Sequence, residues 1–161
     1  KEATDELYKL AKQDTLTGLW NRRFLFNQSC TEGSARYIAM LDIDHFKSVN
    51  DTFGHDGGDA ALKTIANILK IYFPEDVVVR FGGEEFCVQS YSTLDEFITR
   101  LEKMRQRIEN SIIKHNGQDI TLTISIGVCS LEGTLEQQIK LADDCLYIAK
   151  EHGRNQIIAT E

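Results

Sequence analysis

The sequence contains little that would cross-link, stiffen or anchor the chain. It has one proline, and its four cysteines (Cys30, Cys87, Cys129 and Cys145) are too far apart for a CxxC pair or a zinc-finger spacing. No apolar run approaches the roughly 18 residues that are needed to span a bilayer. Basic residues are also scarce, since 25 acidic residues against 18 basic ones leave a net charge of -7. These absences argue against a metal finger, a membrane-spanning segment and a protein that binds a nucleic-acid backbone, which needs a basic face.

What remains is the composition of one folded domain. With 161 residues, of which 42% are hydrophobic and 27% charged, the chain is long enough to bury a core. Cys87 and Cys129 lie in apolar strand patterns, so we expect buried free thiols in a reducing, cytoplasmic environment. A membrane anchor elsewhere in a longer parent protein stays open.

Residues 1–13 carry apolar residues at a helical spacing. Two interpretations are equally supported: the end of a connector helix from an upstream sensor or receiver domain, or a helix that packs on its own domain. Because the chain starts on this charged segment without a methionine, we expect a fragment of a longer protein. The catalytic domain itself is then expected over residues 14–161.

The pattern along the rest of the chain alternates between helical and strand signals. Asp14 or Thr15 is predicted to cap a helix that runs through residues 21–26. The pair Gly82-Gly83 separates two β-prone runs and predicts a hairpin whose turn residues have positive φ. The remaining helices are expected at 45–50, 59–73, 93–113 and 134–150, and strands at 35–43, 77–81, 85–89, 120–130 and 155–159. This order predicts an α+β fold with a central mixed, mostly antiparallel sheet flanked by helices.

Acidic residues follow two of the predicted strands. Asp42 and Asp44 end the first strand, and Glu84 and Glu85 follow the glycine pair. If the first strand pairs with the hairpin, Asp42 and Glu84 come close enough to share Mg²⁺, which prefers hard oxygen ligands together with substrate phosphates. Gly82 lacks a side chain and would let a nucleotide approach the backbone. Taken singly, each feature is more typical of a solvated hairpin or of surface charge.

The motifs in combination resemble the GGDEF domains of diguanylate cyclases, in their GGEEF form. Six ordered elements carry this resemblance along nearly the whole chain. They are DTLTGLWNRR (14–23), DIDHFKSVND (42–51), FGHDGGD (53–59), RFGGEEF (80–86), TISIGV (123–128), and the closing set Asp143, Ala149-Lys150 and Gly153-Arg154-Asn155. The resemblance implies a nucleotidyl-cyclase or polymerase-palm-like fold and the Mg²⁺-dependent condensation of two GTP molecules into cyclic di-GMP.

By that resemblance, the metal ligands are Asp42, the backbone carbonyl of Ile43, Glu84 and Glu85. The cofactor is Mg²⁺, with Mn²⁺ as an alternative. Glu84 would also be the base for the 3′-hydroxyl, with Glu85 as a further metal contact. Because adjacent strand residues point to opposite faces, Glu84 ranks above Glu85 as the ligand.

The resemblance also assigns the groups that bind GTP. The guanine base would be bound by Asn50 and Asp59, whose carboxylate can accept from N1–H and the exocyclic amine, a pattern that adenine lacks. The alternative role for Asp59 is a helix N-cap or a first-turn acid, and the alternative role for Arg154, which ranks below phosphate binding, is a cation at a helix C-terminus. The triphosphate would meet Lys47, Lys150 and Arg154, with Lys150 and Arg154 on one helical face or at its C-cap, while Phe46, Gly82 and Gly83 shape the site.

One departure from the family concerns the inhibitory product site, Arg-x-x-Asp. The corresponding residues here are Phe73-Pro74-Glu75-Asp76, so the aspartate is retained and the arginine is replaced. We therefore expect weak or absent product inhibition.

The resemblance implies a homodimer with one GTP per subunit and no nucleic-acid partner. The alternatives are a catalytically silent module that binds GTP or cyclic di-GMP, and a related cyclase with a hybrid or mononucleotide product.

Overall fold

The computed structural model describes residue 7, residues 11–27 and residues 37–160. Most of the predicted connector helix at 1–13, the first two residues of the predicted strand at 35–43, and Cys30 lie outside the described residues. The strands are β1 (Trp20–Asn21), β2 (Tyr37–Ile43), β3 (Val77–Arg80), β4 (Glu85–Ser90), β5 (Ile113–His115), β6 (Gln118–Ile120), β7 (Ile124–Cys129) and β8 (Ile157–Ala159). The helices are α1 (Arg22–Asn27), α2 (Phe46–Tyr72), α3 (Leu94–Glu109) and α4 (Leu135–Glu151).

Six strands form one sheet in the order β1-β3-β4-β2-β7-β8, and β5 and β6 form a separate hairpin. The central pairs β3–β4, β4–β2 and β2–β7 are antiparallel, whereas the outer pairs β1–β3 and β7–β8 are parallel. The predicted α+β fold with a mixed, mostly antiparallel sheet is confirmed.

The two faces of the sheet are covered by different helices. Ala39, Leu41 and Ile43 of β2 pack in the cluster that holds the buried residues of α2 and α3. Ile38 and Met40 pack in the cluster that holds buried residues of α1 and α4. Since side chains alternate along a strand, Asp42 points to the α4 face at the end of β2.

Helix α2 contains a break that the sequence pattern partly anticipated. Gly54 has φ 75° and ψ 174°, which are not helical values, and it divides Phe46–Tyr72 into two segments. The predicted loop at 52–58 is therefore reduced to a kink at Gly54, and the residues on both sides of it are helical. The kink folds the first segment back beside the start of the second.

The hairpin predictions were half right. Strands β3 and β4 pair as expected, but the predicted positive φ is absent from both Gly82 and Gly83. The loop has four residues and closes with the Phe81 amide donating to the Glu85 carbonyl at 2.8 Å. The pair with left-handed φ is Asn116-Gly117, at 49° and 74°, which joins β5 to β6. Asn-Gly is the strongest two-residue hairpin signal, so this hairpin was predictable and was missed.

The missed hairpin explains two wrong boundaries. Helix α3 ends at Glu109, before the predicted end at 113, because β5 begins at Ile113. The predicted strand at 120–130 is divided between β6 and β7. The predicted helix extends four residues too far because Ile112 and Ile113 follow its apolar stripe, and the predicted strand joins two strands because apolar residues alternate from Ile120 through Leu122 to Ile124.

The predicted cap of α1 is wrong. Asn21 caps this helix, since its Oδ1 accepts from the Phe24 amide at 3.1 Å. Asp14 instead accepts from the amide and hydroxyl of Thr17 and pairs with Arg80 at 3.2 Å. Burial raises the pKa of Asp14, but the hydrogen bonds from Thr17 and the charge of Arg80 outweigh it and hold that pKa below its usual range.

Candidate functional site

The ends of β2 and β4 meet beside the glycine hairpin. Asp42 is the direct cross-strand partner of Glu85, and the Ile43 amide donates to the Glu84 carbonyl at 3.3 Å. Direct partners on an antiparallel pair project from the same face. The sequence reasoning expected Asp42 beside Glu84 if the two strands pair; the strands do pair, and the residue directly opposite Asp42 is Glu85.

Asp42 is a buried carboxylate with an incomplete set of partners. It is only 7% exposed, and its Oδ2 accepts from the Lys150 ammonium of α4. Its Oδ1 is buried and has no hydrogen-bond partner among the described residues. Burial raises the pKa of Asp42, with a further contribution from Asp44, and Lys150 only partly offsets this. An acceptor of this kind is costly to bury unless something binds it.

Glu84 and Glu85 complete an acidic group around Asp42. Burial and then the negative charge of Asp42 raise the pKa of Glu84. Burial, Asp42 and Asp143 raise the pKa of Glu85. Glu84 lies close enough to Asp42 to form a hydrogen bond when either carboxyl carries a proton, but with both ionised neither can donate. The negative charge of these neighbouring carboxylates favours the binding of a cation.

Asp143 is a member of this group to which the sequence analysis assigned no role. Burial raises its pKa, followed by the charges of Asp144 and, more weakly, Asp42, while Lys150 and Arg22 lower it. Its position seven residues before Lys150 could have revealed it, because that spacing returns to the same helical face.

The oxygen atoms fit a small divalent cation. Mg²⁺ is usually held by one or two carboxylates, and its remaining ligands are waters and substrate phosphates. Asp42 and Glu84 supply the carboxylates, and the unsatisfied Oδ1 of Asp42 is a hard oxygen of the required kind. Within residues 11–27 and 37–160, no cluster of three or more His, Cys, Asp or Glu is arranged to hold a metal unaided.

Asn50, one of the two predicted guanine-binding residues, lies against Gly58 beyond the kink of α2. A Cβ atom built on Gly58 would stand 1.9 Å from Asn50 Oδ1 and 3.2 Å from Phe46 Cζ. These three residues are thus in contact, although eight residues separate Asn50 from Gly58. Asp59 follows directly and is exposed, as is Lys47.

The two cations near the C-terminus do not share a helical face as one prediction had it. Lys150 lies in the last turn of α4, which ends at Glu151. Arg154 follows in a loop with φ 63°, and its amide donates to the Ala149 carbonyl at 2.9 Å. The loop, and not a continued helix, positions the Arg154 side chain.

Arg80 connects the glycine loop to the opening motif. Its guanidinium donates to the Gly83 carbonyl at 2.8 Å and also pairs with Asp14. The backbone beside Glu84 is held by this contact. The pairing was not predicted, because 66 residues separate Asp14 from Arg80.

The residues that correspond to the inhibitory product site already have partners within the protein. Phe73 is 1% exposed and packs edge-to-face on Phe97. Asp76 pairs with Arg100 at 3.2 Å and accepts from the Tyr91 amide. Phe73 cannot supply the missing guanidinium, and the retained aspartate already has partners.

Comparison with known proteins identifies the family. The family model described as "Diguanylate cyclase, GGDEF domain" matches residues 11–156. The chain belongs to the GGDEF family. This confirms the resemblance that the six sequence motifs carry.

Individual relatives agree with this assignment. The chain is 38% identical to the probable diguanylate cyclase DgcT of Escherichia coli K12, over 94% of this chain and 36% of that protein. It is also 38% identical to the response regulator PleD of Caulobacter vibrioides, over 96% of this chain and 37% of PleD. The solved coiled coil and GGDEF domain of DgcB from Caulobacter crescentus, in complex with c-di-GMP, has a TM-score of 0.91 at 28% identity. That match covers 99% of this chain and 91% of the DgcB chain.

The chain thus spans little more than a third of the two curated relatives. In the part of this GGDEF domain that the structure describes, no helix has both the length and the apolar character of a membrane span.

Proposed function

We propose that this GGDEF domain is a diguanylate cyclase that condenses two GTP molecules into cyclic di-GMP and releases two pyrophosphates. The observation that carries the proposal is the carboxyl pair Asp42 and Glu84 beside the glycine loop, with Lys150 against it. The relatives named diguanylate cyclases support the same activity.

Asp42, the Ile43 carbonyl, Glu84 and Glu85 are the groups proposed to hold Mg²⁺, with Mn²⁺ as an alternative. When bound, the metal neutralises phosphate charge and makes the 3′-hydroxyl a better nucleophile. Each 3′-oxygen forms a bond to the α-phosphorus of the other GTP, and the bond from that phosphorus to the leaving pyrophosphate breaks. Glu84 would accept the hydroxyl proton.

Lys150 is proposed to change partners when the substrate binds. Its ammonium donates to Asp42 Oδ2 and so neutralises that carboxylate. A bound cation would take over that role, and Lys150, Lys47 and Arg154 would then meet the triphosphate. The exchange would keep Asp42 compensated in both states, which matters because an uncompensated buried charge is strongly destabilising.

The pocket at the α2 kink is proposed to select guanine. Asn50 and Asp59 would bond the base edge, and Phe46 would pack beside it. A site built on paired hydrogen bonds rejects a base that cannot complete them by roughly 10⁴-fold. Gly82 and Gly83 would admit the phosphates close to the backbone.

The proposal places one GTP on each domain, so the reaction requires two subunits that face each other. Pairing the two bound nucleotides would supply much of the rate. Residues 1–13 are proposed to be the end of a connector from an upstream regulatory domain, and 14–161 to be the catalytic domain. The relative named a response regulator and the DgcB chain solved with a coiled coil support this arrangement.

The test is to incubate the protein with GTP or ATP plus Mg²⁺ and to separate the products by chromatography. We expect cyclic di-GMP from GTP, no product from ATP, and a rate per subunit that rises with protein concentration. Glu84→Ala should abolish turnover, whereas the exposed Glu136→Ala is the matched control. Full turnover by Glu84→Ala would overturn the proposed chemistry. Binding of GTP or cyclic di-GMP without turnover would favour the silent binding module.

A further inference from the structure

Asp44 lies two residues beyond the proposed metal ligand Asp42, but its carboxylate is turned to a different set of partners. It is 5% exposed. It accepts from the Thr123 hydroxyl at 2.7 Å, from the Ser125 hydroxyl at 2.6 Å and from the Asn155 amide at 3.1 Å. The Asn155 amide also donates to the Ser125 hydroxyl at 3.1 Å. A buried carboxylate with three donors is anchored firmly, so Asp44 ties β2, β7 and the loop after α4 together.

The loop that Asp44 holds has an unusual backbone. Gly153, Arg154 and Asn155 have φ values of 109°, 63° and 48° in succession. Left-handed φ is uncommon for residues with a Cβ, and for a long side chain such as that of Arg154 it persists only when surrounding contacts impose it. This loop is therefore held in place by its contacts and not by its own conformational preference.

Further contacts reinforce the same conformation. The Asn155 side chain accepts from Arg105 of α3 at 2.7 Å and donates to Glu109. The Gln156 side chain donates to the carbonyls of Ala149, His152 and Arg154. The loop is thus fixed from the sheet side by Asp44 and from the helix side by Arg105. Arg154 is exposed on this loop.

We infer that Asp44 is a positioning residue for substrate binding, which acts through the Asn155 amide to keep Arg154 in reach of the GTP triphosphate. This inference rests on the proposed function, in which Arg154 binds the triphosphate. Without Asp44, the Asn155 amide loses its carboxylate acceptor and the left-handed loop can relax. Arg154 would then sample other positions, and its contribution to binding would be lost even though the side chain is still present.

The test is a double-mutant cycle in which the affinity of each variant for a nonhydrolysable GTP analogue is measured at saturating Mg²⁺. Asp44→Ala and Arg154→Ala should each weaken analogue binding about tenfold, the effect of losing one charge-assisted contact. The double variant should bind no more weakly than either single variant, because both changes remove the same interaction. Asp44→Asn can keep the Asn155 contact through its amide oxygen and should restore most of the affinity. Asp119→Ala, in the separate β5–β6 hairpin, is the control for loss of one negative charge.

Thermal unfolding of every variant separates folding from positioning. If Asp44→Ala does not fold, Asn155→Ala, which removes the Arg105 and Glu109 contacts, should show the same coupling to Arg154→Ala. Additive losses in the cycle would mean that Asp44 only supports the fold, and the inference would be wrong. A wild-type protein that does not bind the analogue, or an Arg154→Ala variant with unchanged affinity, would instead contradict the proposed function. In a steady-state assay, Asp44→Ala should raise KM for GTP more than it lowers kcat.

Discussion

Replacement of Gly58 by alanine should separate nucleotide binding from stability. The new Cβ would stand 1.9 Å from Asn50 Oδ1, whereas ordinary contact begins near 3.4 Å. Asn50 must therefore move by about 1.5 Å, and misplacement of this size at a binding site can cost on the order of 100-fold. Asn50 Oδ1 is the end of a side chain that can rotate, so the backbone need not move.

The effect of Gly58→Ala on the free energy of unfolding should be small. An alanine inside a helix is about 0.5–1 kcal/mol more favourable than glycine. Moving Asn50 away from its preferred rotamer costs about 0.5–1.5 kcal/mol. The two contributions nearly cancel, so the free energy of unfolding should stay within about 1 kcal/mol of the wild type.

The assay is calorimetric titration with a nonhydrolysable GTP analogue, together with urea unfolding. We expect Gly58→Ala to weaken binding about 10- to 100-fold with little change in the unfolding midpoint, since every 1.4 kcal/mol is tenfold. In an Asn50→Ala background the same substitution should add little, because the atom that it displaces is gone. Wild-type affinity in Gly58→Ala would refute the assignment of Asn50 to the base pocket.

Three further predictions concern charge, packing and regulation. The pKa of Glu84 is raised in the folded protein, so the free energy of unfolding falls as the pH rises above the ordinary value of 4.5. Glu84→Gln should therefore lose less stability than the wild type between pH 5 and pH 8 in urea unfolding, and an unchanged pH profile would contradict this prediction. At Gly127 a Cβ would lie 2.1 Å from the Ala142 carbonyl and 2.2 Å from the Leu146 amide, so Gly127→Ala should destabilise by about 1–3 kcal/mol or more. Gly83→Ala, which meets nothing within 4 Å, is the stability control, and equal unfolding midpoints would contradict the packing argument. Because Phe73 replaces the arginine and Asp76 is already paired, titration with cyclic di-GMP at fixed GTP should show no inhibition at low micromolar product.

Local patterns predicted the elements that depend on nearby residues. The predicted strand at 35–43 and the predicted helices at 93–113 and 134–150 each depend on residues within a few positions of one another, and β2, α3 and α4 lie there. The errors occurred where two local signals compete. Gly82-Gly83 lies in a four-residue loop that needs no left-handed φ, while Asn116-Gly117 joins two three-residue strands of mostly polar residues, which carry little strand signal of their own.

The amino-acid sequence by itself determined the family and the fold class, because the motifs are contiguous and strand alternation is a local property. The pairing of the Asp42 strand with the glycine hairpin was only a condition in the sequence argument, and the structure supplied it. Only the tertiary structure decided which partners the charged groups have. Lys150 reaches Asp42 across 108 residues, and Asp44 reaches Asn155 across 111. Such contacts leave no local pattern, since they depend on how α4 and the loop after it pack against the end of β2.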